Sequence, residues 1–152
     1  MRSGHLVMDY TPKNIEALAS FYLEELEALC PGGPLFLGGI CQGGNIAHAI
    51  AEKLLACGRR IGPLVLMEQG RLHPYDGEIQ IIFAEESHLN LSKRNDGGSA
   101  EIERLYGDRG RIAVLPGGHT IFSEPGFSAL IANVKAAADK TKIGATAELL
   151  CR

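Results

Sequence analysis

The chain has 152 residues, 45% hydrophobic and 22% charged, with a formal net charge of −3. That is enough for one core, with the composition of an ordinary soluble domain. The charge balance lacks the basic clusters that favour nucleic acid or an anionic membrane surface, and no apolar stretch approaches the ~20 residues of a membrane span. The first residues, Met-Arg-Ser-Gly-His, lack the apolar segment of a signal peptide, so a cytoplasmic location is expected.

In chain order, Leu6-Val7-Met8 reads as a short strand or a lead-in. Thr11-Pro12 is a helix start, threonine as cap and proline at the first helical position. Ile15, Leu18, Ala19, Tyr22, Leu26 and Leu29 then recur at helical spacing, and Pro31-Gly32-Gly33 ends the run. Leu35-Phe36-Leu37 is an all-apolar run, as a buried parallel strand is. Ile46, Ala47, Ile50, Ala51, Leu54 and Leu55 form a second helical stripe, closed by Gly58. Pro63–Met67 and Glu78–Ala84 are predicted strands. Residues 89–99 are polar and rich in Gly, Asn and Ser, a predicted mobile loop. A short helix over Ala100–Tyr106, a strand over Arg111–Leu115 and a helix over Phe127–Ala138 follow. Residues 141–152 have no clear period and are expected to fray. Strands alternating with helices predict an α/β domain, a mostly parallel sheet flanked by helices, over the whole of 1–152.

The most informative segment lies between the first strand and the helix after it. Residues 38–44 read Gly-Gly-Ile-Cys-Gln-Gly-Gly, the G-x-C-x-G spacing of a nucleophile elbow with cysteine at the apex. Such an elbow turns a strand sharply into a helix and exposes the apical side chain, here Cys41. Glycines two before and two after the apex, Gly39 and Gly43, leave room for the turn. Cys30, Cys57 and Cys151 have no such setting, and no pair of cysteines has C-x-x-C spacing, which argues against zinc. His48 is expected on a solvent or packing face of the elbow helix, and His5, His73 and His88, in loops or ends, share no metal-ligand spacing. The glycine-rich elbow is not a phosphate loop, because no G-K-[S/T] follows.

In parallel sheets the chemistry gathers at the carboxyl ends of strands. Cys41, Glu68 and His119 each fall on such an end, in the order nucleophile, acid, base. A free thiol, with a pKa near ~8.5, needs a base at neutral pH. His119, in the turn Pro116-Gly117-Gly118-His119, is the candidate. A carboxylate then holds the imidazole in the right tautomer. Glu68 is the first choice, and Glu85 and Glu86, at the end of the third strand, are alternatives. The backbone N–H of Gln42 is placed to donate to an oxyanion.

These residues resemble a known family. Residues 35–47 (Leu-Phe-Leu-Gly-Gly-Ile-Cys-Gln-Gly-Gly-Asn-Ile-Ala), Leu64-Val65-Leu66-Met67-Glu68, and Leu115-Pro116-Gly117-Gly118-His119 with Glu124-Pro125 are similar to the thioesterase domains of nonribosomal peptide and polyketide synthases. So is the Asp9-Tyr10-Thr11 helix start. These are α/β-hydrolases. The resemblance implies release of an acyl or peptidyl chain from the phosphopantetheine thioester of an acyl- or peptidyl-carrier protein. It implies a Cys41–His119–Glu68 triad, cysteine replacing the usual serine and glutamate the usual aspartate. No cofactor or metal is implied beyond the phosphopantetheine that carries the substrate. Two departures stand out. Family members carry strands before the helix at Thr11, one of which leads to a second oxyanion donor. They also insert a helical lid where this chain has only Gln69–Gly77. The expected fold is therefore a truncated α/β-hydrolase with an exposed sheet edge, covered by a homodimer or a partner chain. Two other readings fit the same residues: a dienelactone-hydrolase-like enzyme, which also uses G-x-C-x-G, and a non-catalytic thioesterase remnant that binds a carrier protein or acyl chain.

Overall fold

The computed structural model describes residues 10–93, 98–119 and 125–149, with only the backbone described at Ser99 and over 141–149. The predicted strand at 6–8, Asp9, Glu124 and Cys151 lie outside the described residues.

Helix α1 spans Pro12–Leu29. Thr11 caps it, its Oγ1 accepting from the Asn14 N–H at 3.3 Å. This satisfies one of the amides that a helix start leaves without a partner. The far end is held from outside, because Arg59 donates to the carbonyls of Cys30 and Gly33. The seam that α1 packs on its neighbour uses Ala19, Leu23 and Leu26. Tyr22 and Leu29, predicted to be part of the stripe, are 41% and 80% exposed. The i, i+4, i+7 row from Ala19 faces helix α2 and the row through Tyr22 turns past it.

The regular part of the first strand is β1, Gly38–Ile40, displaced from the predicted 35–37. Leu35 makes only an isolated bridge to Ile61. Strand β2, Leu64–Met67, then pairs with β1 from Gly38↔Val65 onward. Two residues on one chain segment thus oppose three on the other, among them Pro63, which has no N–H to give a ladder. Glycine at 38 serves close strand approach, since a Cβ there would sit 2.9 Å from the Val65 carbonyl oxygen.

Helix α2 is Gln42–Ala56, strand β3 is Ile79–Ala84, α3 is Gly98–Tyr106, β4 is Gly110–Leu115 and α4 is Gly126–Leu149. The four strands form one sheet in the order β1-β2-β3-β4, every pair parallel. On one face Leu64, Leu66, Ile79, Ile81 and Phe83 pack against Ala47 and Ala51 of α2 and Ile102 and Tyr106 of α3. On the other, Val65, Ile82, Ala84 and Leu115 pack against Leu130 and Ala137 of α4. Residues of the central strands β2 and β3 therefore alternate between two apolar layers, which explains why these two read as near-continuous hydrophobic runs, whereas the edge strand β4 leaves Ile112 and Val114 exposed. Helix α1 lies outside α2.

Two expectations change. The segment predicted as a mobile loop begins as ordered structure: Asn90 and Leu91 are 1% and 2% exposed, and a 3-10 turn covers Leu91–Lys93. Helix α4 runs on to Leu149 instead of fraying from 141. The helix is rich in alanine, which is helical by backbone preference without needing an apolar stripe.

Candidate active site

The end of β1 turns into α2 at Cys41, which has φ 49° and ψ −124°. This is one of two non-glycine residues at positive φ among the described residues. Such a conformation costs on the order of 1–3 kcal/mol and persists only where the surroundings impose it. They do so here through the bond from the Cys41 N–H to the Met67 carbonyl at 2.9 Å and the packing of Gly39 on the first turn of α2. A Cβ at Gly39 would lie 2.4 Å from the Gly43 carbonyl oxygen. The predicted need for glycine at 43 is not met in the same way, because a Cβ there would touch nothing within 4 Å. The tight position after the apex is Gly44, whose added Cβ would lie 2.3 Å from Gln69 Oε1.

Glu68, directly after β2, is the other strained residue, with φ 52°. Its side chain is fully buried. Its Oε1 accepts from the Ala84 N–H and its Oε2 from the Ser87 hydroxyl, both at 2.5 Å. The carboxylate therefore reaches across the end of β3 towards β4.

The β3–β4 pairing continues past the strands, with Glu85 N–H donating to the Leu115 carbonyl at 2.7 Å and Glu86 N–H to that of Gly117 at 3.0 Å. Gly117 sits at φ 108°, where a side chain would be strained. This turn delivers His119 to the other two residues. Its Nδ1 lies 2.6 Å from Glu68 Oε2 and its Nε2 lies 3.6 Å from Cys41 Sγ. The thiol also lies 3.6 Å from the Glu68 carbonyl oxygen, which can accept its proton in a weak hydrogen bond.

The three residues read from sequence are thus brought together from the ends of β1, β2 and β4. The alternatives are not: Glu85 and Glu86 are exposed, and the carboxylate on His119 Nδ1 is that of Glu68. Gln42 is the first residue of α2, so its N–H has no acceptor within the helix and stands beside Cys41. Its side chain belongs to a network in which Asn45 donates to Gln42 at 3.0 Å and Gln69 donates to Asn45 at 2.6 Å. Sequence reasoning passed over Ser87 and Gln69. Ser87 carries only the weak signal of lying just past a strand end, and Gln69 that of following the acid.

Other cysteines and histidines are placed apart. Cys30 and Cys57 are free, exposed and at helix ends. His48 is buried against Tyr75 and His73, with ring centroids 5.5 and 5.6 Å away. Burial, with help from nearby His48 and Arg71, holds His73 below its ordinary 6.5. Burial pushes the Tyr75 and Tyr106 phenols up to about 12. Among the described residues no group of three or more His, Cys, Asp or Glu is arranged to hold a metal, and no helix is long and apolar enough to cross a membrane.

Residues 7–76, which include the elbow and Glu68, match the family model described as thioesterase domain. Over 78 residues the chain is 35% identical to the non-reducing polyketide synthase PKS1 of Zymoseptoria tritici, covering 45% of this chain and 4% of that protein. Over 60 residues it is 40% identical to the non-reducing polyketide synthase terA of Aspergillus terreus, covering 40% and 3%. The match thus spans only a few per cent of the length of these relatives. The thioesterase domain of NocB from the nocardicin cluster superposes with a TM-score of 0.63 at 17% identity, covering 82% of this chain and 73% of that one. YbtT, a type II thioesterase from the yersiniabactin pathway, gives 0.58 at 14% identity, covering 82% and 74%. The fold is therefore the α/β-hydrolase architecture of these thioesterases, a parallel sheet flanked by helices.

Proposed function

We propose that the chain is a thioester hydrolase or acyltransferase that works through Cys41, His119 and Glu68 on acyl or peptidyl groups carried as phosphopantetheine thioesters. The observation that carries this reading is the Cys41–His119–Glu68 chain of contacts, 3.6 and 2.6 Å long, standing on an elbow. The match of residues 7–76 to the thioesterase model supports the choice of thioesters over other acyl substrates.

In the proposed reaction, His119 Nε2 takes the Cys41 proton as the sulfur attacks the thioester carbonyl. The oxyanion forms towards the Gln42 N–H. Collapse breaks the carbon–sulfur bond to the pantetheine arm, whose thiolate takes the proton back from His119. The acyl group then rests on Cys41. Water, an amine or a hydroxyl loses its proton to His119, attacks, and releases Cys41. Glu68 keeps Nδ1 protonated throughout and stabilises the imidazolium.

Cysteine in place of serine makes the first step an exchange between two thioesters of similar energy, which favours transfer to an acceptor over fast hydrolysis. A Cys41→Ser variant that hydrolyses more slowly with an unchanged product spectrum opposes that point. The proposed partner is an acyl- or peptidyl-carrier protein. Among the described residues β1 pairs only with β2, and we propose that a second copy or a partner chain covers its other edge. A monomer by light scattering, with cooperative unfolding, opposes it.

The decisive test of the activity is intact-mass spectrometry after incubation with acyl thioesters of several chain lengths. An adduct on the wild type that is absent in Cys41→Ala supports the reading. No adduct at any chain length refutes it and leaves a binding module.

A further inference from the structure

Glu68 is shared by three hydrogen-bond donors, the Ala84 N–H, the His119 ring and the Ser87 hydroxyl, and the last has no part in the reaction as described above. Ser87 is 7% exposed and sits in a turn closed by bonds from its own N–H to the Ala84 carbonyl at 3.1 Å and from the Asn90 N–H to its carbonyl at 3.2 Å. Its Oγ accepts from the Leu89 N–H at 3.1 Å and lies 2.5 Å from Glu68 Oε2. A hydroxyl has a single proton to give. The Leu89 N–H approaches the oxygen from one side, so the proton is directed at Glu68.

We propose that Ser87 is a positioning residue of the triad, its hydroxyl holding Glu68 as an anion that receives a proton from His119 Nδ1. This rests on the function proposed above and deepens it. The carboxylate is surrounded by the Ala84 N–H, the Ser87 hydroxyl and the His119 ring. Donors stabilise the charged form. An anion whose other positions are filled by donors requires hydrogen on the facing ring nitrogen, so Nδ1 carries it and Nε2 keeps its lone pair for Cys41. Ser87 also shares the negative charge, which limits how tightly Glu68 holds an imidazolium. The base then gives its proton up again to the leaving thiolate. Besides Glu68 and Cys41, the ring of His88 faces His119 at 5.8 Å between centroids. Glu86 lies behind the neighbouring Gly118.

The test compares the full chain with Ser87→Ala and Ser87→Thr, using nitrogen-15 spectra of the His119 ring across pH and the pH dependence of Cys41 acylation by a soluble acyl thioester. The wild type is expected to show the Nδ1–H tautomer. In Ser87→Ala the carboxylate loses a donor and binds the imidazolium more strongly. The ring is expected to keep its proton to a pH about one unit higher, a tenfold change, with the acid limb of acylation moving the same way. Ser87→Thr, which keeps the hydroxyl, is expected to behave as the wild type. An unmoved ring titration in Ser87→Ala overturns the proposal, as does a shift equally large in Ser87→Thr. If the wild type forms no acyl adduct but the ring titration moves as stated, the thioesterase reading fails and the role of Ser87 stands.

Discussion

His119 and His48 each meet a carboxylate through Nδ1, with the burial reversed. At His119 the acid is fully buried and the ring is 42% exposed; at His48 the ring is 8% exposed and the Glu52 side chain 56% exposed. The distances differ too, 2.6 Å at His119 and 3.4 Å at His48. What remains on Nε2 separates them further. His119 turns it towards a thiol, whereas His48 directs it 3.1 Å from the Pro74 carbonyl oxygen. A buried acid under an exposed ring makes a base that a substrate can reach. A buried ring with both nitrogens engaged ties the 68–78 connection to α2.

The largest expected effect falls on the first of these rings. His119→Ala should slow Cys41 acylation by about 10³-fold, the scale of a lost general base. His48→Ala should leave acylation of the folded protein within about twofold. Comparable losses in both, measured by single-turnover mass spectrometry, break the contrast. The carboxylates should differ in the same sense. Glu68→Gln is expected to lower acylation on the order of 10²-fold or more, and Glu52→Gln to leave it unchanged, since one acid sets a tautomer and the other is screened by water.

The elbow holds a parallel contrast in stability. Gly39→Ala drives a methyl into the Gly43 backbone and should cost about 3 kcal/mol in denaturant unfolding. Gly43→Ala meets open space in a helix and should gain about 0.5 kcal/mol. Equal effects at the two positions contradict the geometry. His48→Ala should destabilise by about 1–2 kcal/mol, by removing a buried ring packed on Tyr75 and His73 together with its bond to the Pro74 carbonyl.

The smallest effect concerns pH. Folding holds His73 below 6.5, so the unfolded chain binds the proton more readily. Stability should therefore fall as pH drops through about 6.5 and level off below the folded value. His73→Gln should remove that part of the slope in unfolding curves between pH 7 and 5. An unchanged slope assigns it to other groups.

The elbow was legible because its requirements are local: a buried strand, a small residue at 39, an apical nucleophile and an amphipathic helix follow one another in the chain. His119 and Glu68 were legible as strand-end residues in the right order, but the choice among Glu68, Glu85 and Glu86 was not. It depended on the backbone of Glu68 turning to positive φ and its side chain crossing the end of β3. The displacement of β1 from 35–37 to 38–40 was hidden because apolar runs show burial, whereas pairing depends on where Pro63 interrupts the partner.

By itself, the sequence determined the alternation of strands and helices, the apex at Cys41 and the pairing of a thiol with a histidine in one chain. Periodicity, caps and glycine spacing act over a few residues, so their effect is written locally. Only the tertiary structure decided that Gly44 rather than Gly43 is the crowded glycine, that Glu68 is the acid on His119, and that Ser87 stands behind it. Those outcomes depend on atoms brought together from segments tens of residues apart, where hydrogen-bond reach and packing choose among side chains that look equivalent in the sequence.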